Sequence, residues 1–472
     1  MMALSGSSHR ASSFEEEMST AKKSRGFTLD EAMKASRRET IEAYGRHVNP
    51  ELAGLLKLAN MDRRYVKAEG VYLTDDEGNR CMDLTGGYGA LNLGHNPPEI
   101  LAAVREAQSL PPVLLAGTNH LMGMLGATLA SILPDGLTMS TFGSGGAEAV
   151  EIALKTARAS TRRKKFLACT NAYHGLSFGA LSVCSSEKYC EALGPLMDHC
   201  HAIPFGDLAA LEAKLKDREV AGFIVEPVQG EGGAVVPPQG YLKGAEELCR
   251  KYGTLLILDE IQTGFGRTGK MFALEHEGVV PDIITLSKSL GSGTVPVSAA
   301  VTTEEIWKKA FGRRNRFDLV ISTFGGNPAA CAAALKTIEI MRRDDIPGKA
   351  AIMGEHAKKR LEESLKDAKT VKEVRGKGLL LGVEVEPPRV PGANMDENYS
   401  AMVITRLLNK HGVLTSYYDL DTRVLRFEPP LIVTKEQVDQ AVDAFGESLN
   451  KGTAGLTLSF GGSVMKRVIS PP

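Results

Sequence analysis

TLLILDE at residues 254–260 and DIITLSKSLGSG at residues 282–293 decide how this chain folds. Each contains a short apolar run of the kind that fits a strand buried on both faces, as in a parallel sheet covered by helices. The first run ends on Asp259, and the second is followed two residues later by Lys288. Ligands gather beyond the carboxyl ends of such strands, so a carboxylate and a lysine at two of them are candidates for chemistry. The competing reading is ordinary, since most lysines after strands are solvated. The weight falls on what surrounds the pair.

Further strand-like runs stand at 166–170, 221–226 and 297–301, separated by amphipathic segments. In residues 239–252, Leu242, Ala245, Leu248, Cys249 and Tyr252 share one helical face. This alternation holds over residues 72–335 and predicts a large α/β domain on a mostly parallel sheet. In residues 336–450 the rhythm changes: helices at 355–368 and 435–449 bracket a strand pair at 371–375 and 379–385, punctuated by Gly376 and Gly378. That stretch reads as a small α+β domain, with a loop at 386–398. Residues 1–71, with a periodic stretch at 29–46, read as an arm or strap contributing to the small domain, and residues 451–472 as a tail without clear signal.

With 472 residues the chain is long enough for both domains. A net charge of −1 gives no reason to expect nucleic acid or a membrane as partner. Seven cysteines, odd in number and without a CxxC pair, read as thiols of a reducing compartment rather than as disulfides or a zinc site. The opening MMALSGSSHRASSFEEEM lacks the apolar core of a signal peptide, and no run has the length of a membrane span, so the expected location is cytoplasmic.

A buried carboxylate and a lysine at neighbouring strand ends suit pyridoxal phosphate. The lysine holds the cofactor's aldehyde, and the carboxylate keeps the pyridine nitrogen protonated so that the ring accepts electrons. TFGSGGAEAVEIALKTA at 141–157 is a glycine-rich turn opening a helix, with Ala147, Val150, Ala153, Leu154 and Ala157 as its apolar stripe. Free N–H groups at such a helix start suit a phosphate, with Ser144 adding a hydroxyl and Gly145 and Gly146 letting the backbone approach. A tight turn with no ligand fits equally. Tyr173, followed by His174, is placed to stack on a flat ring or to pack as a core tyrosine. Gln262, three residues past Asp259, reads as a partner for a phenolic oxygen or as a polar loop residue.

The ordered strings EPVQGEGG (226–233), LDEIQTGFGRTGK (258–270), STFGGNPAA (322–330), VRGKGLLLGVE (374–384) and LRFEPPL (425–431) give the chain its resemblance. Together with the Lys288 segment, it resembles a class III (ω-type) aminotransferase of fold type I, in the ornithine, acetylornithine and putrescine subgroup. The resemblance implies a large domain on a mostly parallel, seven-stranded-type sheet and a small α+β domain. It implies pyridoxal 5′-phosphate as cofactor, Lys288 as its lysine and proton carrier, and Asp259 as partner of the ring nitrogen. Ser144, Gly145, Gly146 and Ala147 would hold the phosphate, with Tyr173, His174, Glu226 and Gln262 around the ring. Thr323 would reach the phosphate of a neighbouring subunit, making a homodimer with a shared site. Glu231 would gate Arg426, pairing with it while an amine is bound and leaving when an oxo acid arrives. The implied reaction is a ping-pong transfer of a terminal amino group from a diamine or ω-amino compound to an oxo acid such as 2-oxoglutarate.

Three departures stand out. Gly145 and Ala147 replace hydroxyl residues common in relatives, and SLGSGTVPVSA after the lysine is less regular than their glycine run. Leu176 stands where relatives place Arg or Lys, and a leucine cannot hold a carboxylate. With Tyr88, Leu114 and Leu115 it suggests an apolar substrate pocket, unless it merely packs. The alternative reading is therefore a biosynthetic enzyme aminating a long-chain aldehyde or carrier-bound intermediate. The same scaffold also supports decarboxylating transamination and aminomutation, and a binding or regulatory role retaining the fold.

Overall fold

Val220–Val225, buried at every position, is an interior strand of the larger sheet and shows why the alternation reads as it does: a strand walled on both faces has no solvent side to make polar. The computed structural model describes residues 26–112, 114–387 and 395–450. The opening 1–25, part of the 386–398 loop and the 451–472 tail fall outside these residues. Residues up to Arg64 form one unit and those from Tyr65 onward another.

In the first unit, the periodic stretch at 29–46 is two helices, Leu29–Lys34 and Arg37–His47. Ser36 breaks it by capping the second in a reciprocal box with Glu39, which a helical-period reading overlooks. A third helix, Pro50–Ala59, follows Asn49 as its cap.

The second unit holds strands β1 (Tyr65–Glu69), β2 (Tyr72–Asp75), β3 (Arg80–Asp83), β4 (Leu137–Gly143), β5 (Lys165–Cys169), β6 (Cys200–Ile203), β7 (Val220–Val225) and β8 (Leu255–Asp259). It continues with β9 (Ile283–Leu286), β10 (Ser298–Thr303), β11 (Val371–Lys377), β12 (Leu380–Val385), β13 (Val413–Leu414), β14 (Tyr417–Tyr418) and β15 (Asp421–Phe427). The seven-stranded sheet has the order β4-β10-β9-β8-β7-β5-β6, parallel except for β10, which is antiparallel to both neighbours. The expected fold is present: a seven-stranded, mostly parallel sheet in which β10 alone runs the other way. The helix Gly146–Thr161 packs on β7, β9 and β10, its Val150, Ala153, Leu154 and Ala157 meeting Ile224, Ile257 and Ile283 in the core.

Two strands of this sheet, β4 and β6, have no counterpart in the sequence reading. Both are edge strands, and their partly exposed patterns carry the mixed polarity that edges tolerate. A second sheet, β11-β12-β15-β14, is antiparallel and sets Gly382 opposite Arg426. A third joins β1, β2 and β3 to β13, which runs parallel to β3. The helix expected at 355–368 begins earlier, spanning Ile346–Leu365, because Asp345 caps it and Pro347 lies in its first turn, where no backbone donor is needed.

Arg267 ties these sheets together at the site. Fully buried, it donates to Leu379 O at 3.0 Å, Pro429 O at 2.7 Å and Asn92 Oδ1 at 2.5 Å. Its planar fork satisfies three segments at once, which a lysine ammonium on a flexible stem cannot do. Arg267→Lys is expected to destabilise the protein by about 1–3 kcal/mol for each acceptor left unpaired. Thermal unfolding checks this, and an unchanged midpoint would show that the fork is not needed.

Candidate active site

Asp259 ends β8 beside Thr285 of β9, a register that makes the Thr285 hydroxyl its neighbour. The Asp259 carboxylate is 3% exposed and accepts three hydrogen bonds: from His174 Nδ1 at 2.7 Å, Thr285 Oγ1 at 3.0 Å and Ile261 N at 3.1 Å. Burial pulls the His174 imidazole down, but the hydrogen bond and charge of Asp259 outweigh this and leave its pKa raised. The adjacent acid, Glu260, turns away and accepts from Thr263 Oγ1, Ala273 N and Leu274 N, holding the following loop. Of the two acids in the DE pair, Asp259 is the one bonded to His174.

Lys288 opens a short turn after β9 at φ 39°, a left-handed conformation that costs a lysine of order 1–3 kcal/mol. Its Nζ donates to Gln262 Oε1 at 2.8 Å. Burial, helped by the Arg426 charge and opposed by Glu231, Glu428 and Glu226, lowers the lysine's pKa. More of it is therefore neutral near pH 7, as a nucleophile or proton carrier requires. Gln262 passes the connection on: its Nε2 donates to Glu428 Oε1 at 3.0 Å and Oε2 at 3.1 Å.

Arg426 stands between two carboxylates. Nη1 donates to Glu428 Oε2 at 2.6 Å and Nη2 to Glu231 Oε2 at 2.7 Å. Its guanidinium lies 4.0 Å from the Tyr418 ring centre and 4.8 Å from that of Tyr88. Burial alone lowers Arg426, but Glu231 and Glu428 raise it above the ordinary arginine range. Glu231 and Arg426, left apart in the sequence, thus meet directly.

Ser144 follows β4, and the helix Gly146–Thr161 begins with Gly145 as a cap that offers no side-chain hydrogen bond. The Tyr173 loop is pressed onto this helix start: a Cβ on Gly175 would lie 2.6 Å from that of Ala147. Glu226, just past β7, fixes both loops by accepting from Tyr173 N at 3.0 Å and Gly230 N at 2.9 Å. Burial pushes the Glu226 carboxyl up to about 7 and the Tyr173 phenol up to about 12. Leu176 is 55% exposed, so it is not a core residue of this chain, and Tyr88 is half exposed. Leu115 and Thr323 are exposed too, and no hydrogen bond links Thr323 to the groups above.

Sequence reasoning gave no role to Glu428 or Thr285. A signal for Glu428 existed: it lies two residues from Arg426, the spacing that puts side chains on one face of a strand. A cavity of about 350 Å³ lies elsewhere, beside His276 and Lys377, and contains none of these groups.

The family described as aminotransferase class-III matches residues 57–449. Among solved structures, an ornithine aminotransferase from Toxoplasma gondii, with partial PLP occupancy at its active site, is 32% identical with a TM-score of 0.81, over 92% of this chain and 100% of that one. An (S)-enantioselective omega-transaminase from Thermomicrobium roseum is 31% identical with a TM-score of 0.80, over 89% and 99%. An amine transaminase from an uncultivated Pseudomonas species, in its PLP-bound form, is 29% identical with a TM-score of 0.75, over 83% and 95%.

The raised His174 value yields a prediction. The folded protein binds this proton more tightly than the unfolded chain, so the stability it contributes is complete below about pH 6.5 and is lost as pH rises through the folded value. In Asp259→Asn protein, burial should govern and His174 should titrate below the ordinary imidazole value. Ring-proton NMR reads this, and a value still raised would show that Asp259 is not the cause.

Proposed function

The chain belongs to the class-III aminotransferases, pyridoxal-phosphate enzymes of fold type I, and we propose that it moves a terminal amino group from a diamine or ω-amino compound to an oxo acid, 2-oxoglutarate in the first instance. The observation that carries this reading is the 2.7 Å pair of Glu231 with Arg426, reached from Lys288 through Gln262 and Glu428. A site that uses two substrates in turn must accept a carboxylate in one half of its cycle and none in the other. An arginine whose charge is covered by a displaceable glutamate meets both needs.

The residues fit the cofactor. The start of a 16-residue helix suits its phosphate, since the cap Gly145 makes no side-chain hydrogen bond and Glu148 takes only the Ser144 N–H. Ser144 through its hydroxyl, Gly145, Gly146 and Ala147 would hold that phosphate. Asp259 would take the ring nitrogen, Tyr173 would stack on the ring and Gln262 would meet the phenolic oxygen. Bound pyridoxal phosphate supplies an electron sink for charge at the amine-bearing carbon. Lys288 Nζ would move the proton from that carbon to the cofactor's C4′ and reverse that move in the second half-reaction. His174 and Thr285 keep the Asp259 carboxylate in place throughout. Glu226 holds the Tyr173 loop by its backbone.

The reading includes a homodimer in which Thr323 serves the neighbouring subunit's phosphate. Its support is an exposed, largely apolar segment containing Phe317, Leu319, Ile321 and Phe324. A cytoplasmic location is supported by cysteines that are free among the described residues. Among those residues no helix is long and apolar enough to cross a membrane. Exposed Leu176 favours a second reading, in which the amino acceptor is a long-chain aldehyde or carrier-bound intermediate.

Visible absorption of the PLP-loaded protein tests these roles. Glutamate and one class of amine should each convert the cofactor band, across a panel of putrescine, cadaverine, ornithine and long-chain monoamines. Conversion by long-chain amines alone would favour the second reading, and no conversion by any of them would end the proposal. Lys288→Ala should lose the lysine-bound band and at least about 10²–10⁴-fold in turnover; normal turnover would remove Lys288 from its role.

A further inference from the structure

Glu428 has no part in the gate implied by the resemblance, yet it is the more deeply buried of the two carboxylates on Arg426, at 0% exposure against 7% for Glu231. The two are held differently. Glu231 accepts from Arg426 and from Asp419 N at 3.2 Å, on a loop between β7 and β8. Glu428 accepts from Arg426 and from Gln262 to both oxygens, and lies 3.7 Å from Arg267 Nε. The Tyr88 loop closes over it so tightly that a Cβ on Gly89, at φ 84°, would sit 2.8 Å from Glu428 Oε1. Glu231 keeps some exposure to solvent and only two donors, whereas Glu428 has no exposure and is held on every side.

We infer that Glu428 is a specificity-determining residue: a fixed counter-charge that stays on Arg426 when Glu231 leaves, so the preferred amino donor carries no carboxylate. This rests on the aminotransferase reading and names the substrate class within it. With Nη1 held by Glu428, an incoming carboxylate can use only the edge formed by Nη2 and Nε. Nε is buried and has no hydrogen-bond partner, so that edge is the one left open to a ligand. A carboxylate arriving there meets a guanidinium already paired with Glu428, whose charge is shared with Arg267, and so a second negative charge close by. An amine without a carboxylate meets neither penalty, because Glu231 keeps its place. An α-amino acid donor must displace Glu231 and then bind against Glu428.

Charge and positioning can be told apart, because the stacked Tyr418 and Tyr88 rings orient the guanidinium without Glu428. Glu428→Gln keeps the shape and an acceptor for Nη1 while removing the charge. Calorimetry with glutarate, a dicarboxylate that cannot react, should show about tenfold tighter binding to the PLP-loaded variant than to wild type. The preference in kcat/KM for butylamine over glutamate should fall by about the same factor. Glu428→Asp keeps the charge and should leave glutarate binding weak; a packing role would disturb both variants alike. Glutarate bound no more tightly by a folded Glu428→Gln overturns the inference. Should that variant not fold, Glu231→Gln decides: with Glu428 still in place the gain in glutarate affinity should stay below about tenfold, and a larger gain overturns the inference. If wild type moves no amino group from any amine or glutamate, the aminotransferase reading fails instead, and glutarate binding still reports on Glu428.

Discussion

Removing two guanidinium groups from water in one corner of a protein is the constraint on which this structure depends. Arg267 and Arg426 are each costly to bury, by several kcal/mol even after relaxation, and are tolerable only with partners of opposite charge and good geometry; Lys288 beside them is partly buried. Glu231 and Glu428 provide the charge, and Gln262, Asn92 and the backbone carbonyls of Leu379 and Pro429 provide the remaining acceptors. These groups come from β15 itself, from the loops after β7, β8, β9, β11 and β15, and from the segment that follows β3. The sheets must therefore dock correctly before the charges are satisfied, and the polar network selects one arrangement where apolar packing alone would accept several.

At the other end of the site, Asp259 is a single carboxylate with three donors and no arginine or lysine bonded to it. The two ends are thereby separated in character: one holds a fixed negative group against a histidine, the other balances movable charges around an arginine. Lys288 faces the second end through Gln262, and its lowered pKa follows from that surrounding of protein and cation. The backbone at Lys288 is held in a left-handed conformation by the short turn that follows β9.

The centre of the fold was legible because the buried strands β7, β8 and β9 are apolar on both faces, a pattern local to each strand. The edges were not: β4 and β6 mix polar and apolar residues because one side of each lacks a neighbour. The same division runs through the site. Asp259 and Lys288 stand at the ends of apolar runs and were visible there. Glu428 matters because of Gln262, 166 positions away in the chain, and Arg267, a relation no local spacing encodes. The exposure of Leu176 was likewise hidden, since a leucine in a loop reads the same whether it packs or not.

The antiparallel strand β10 carries a consequence for how the protein comes into being. β4 pairs with no other strand of its sheet, and the residues that end it, Phe142 and Gly143, lie beside Ala299 and Ser298. The turn at 144–147 is therefore anchored by a segment that leaves the ribosome about 160 residues later, after Lys288 itself. A nascent chain therefore cannot finish this turn by itself; turn and lysine are set in place by one late, long-range closure. Such non-local pairing is slow to form, so the last step in building this end of the sheet is also the one that sets the turn beside the lysine.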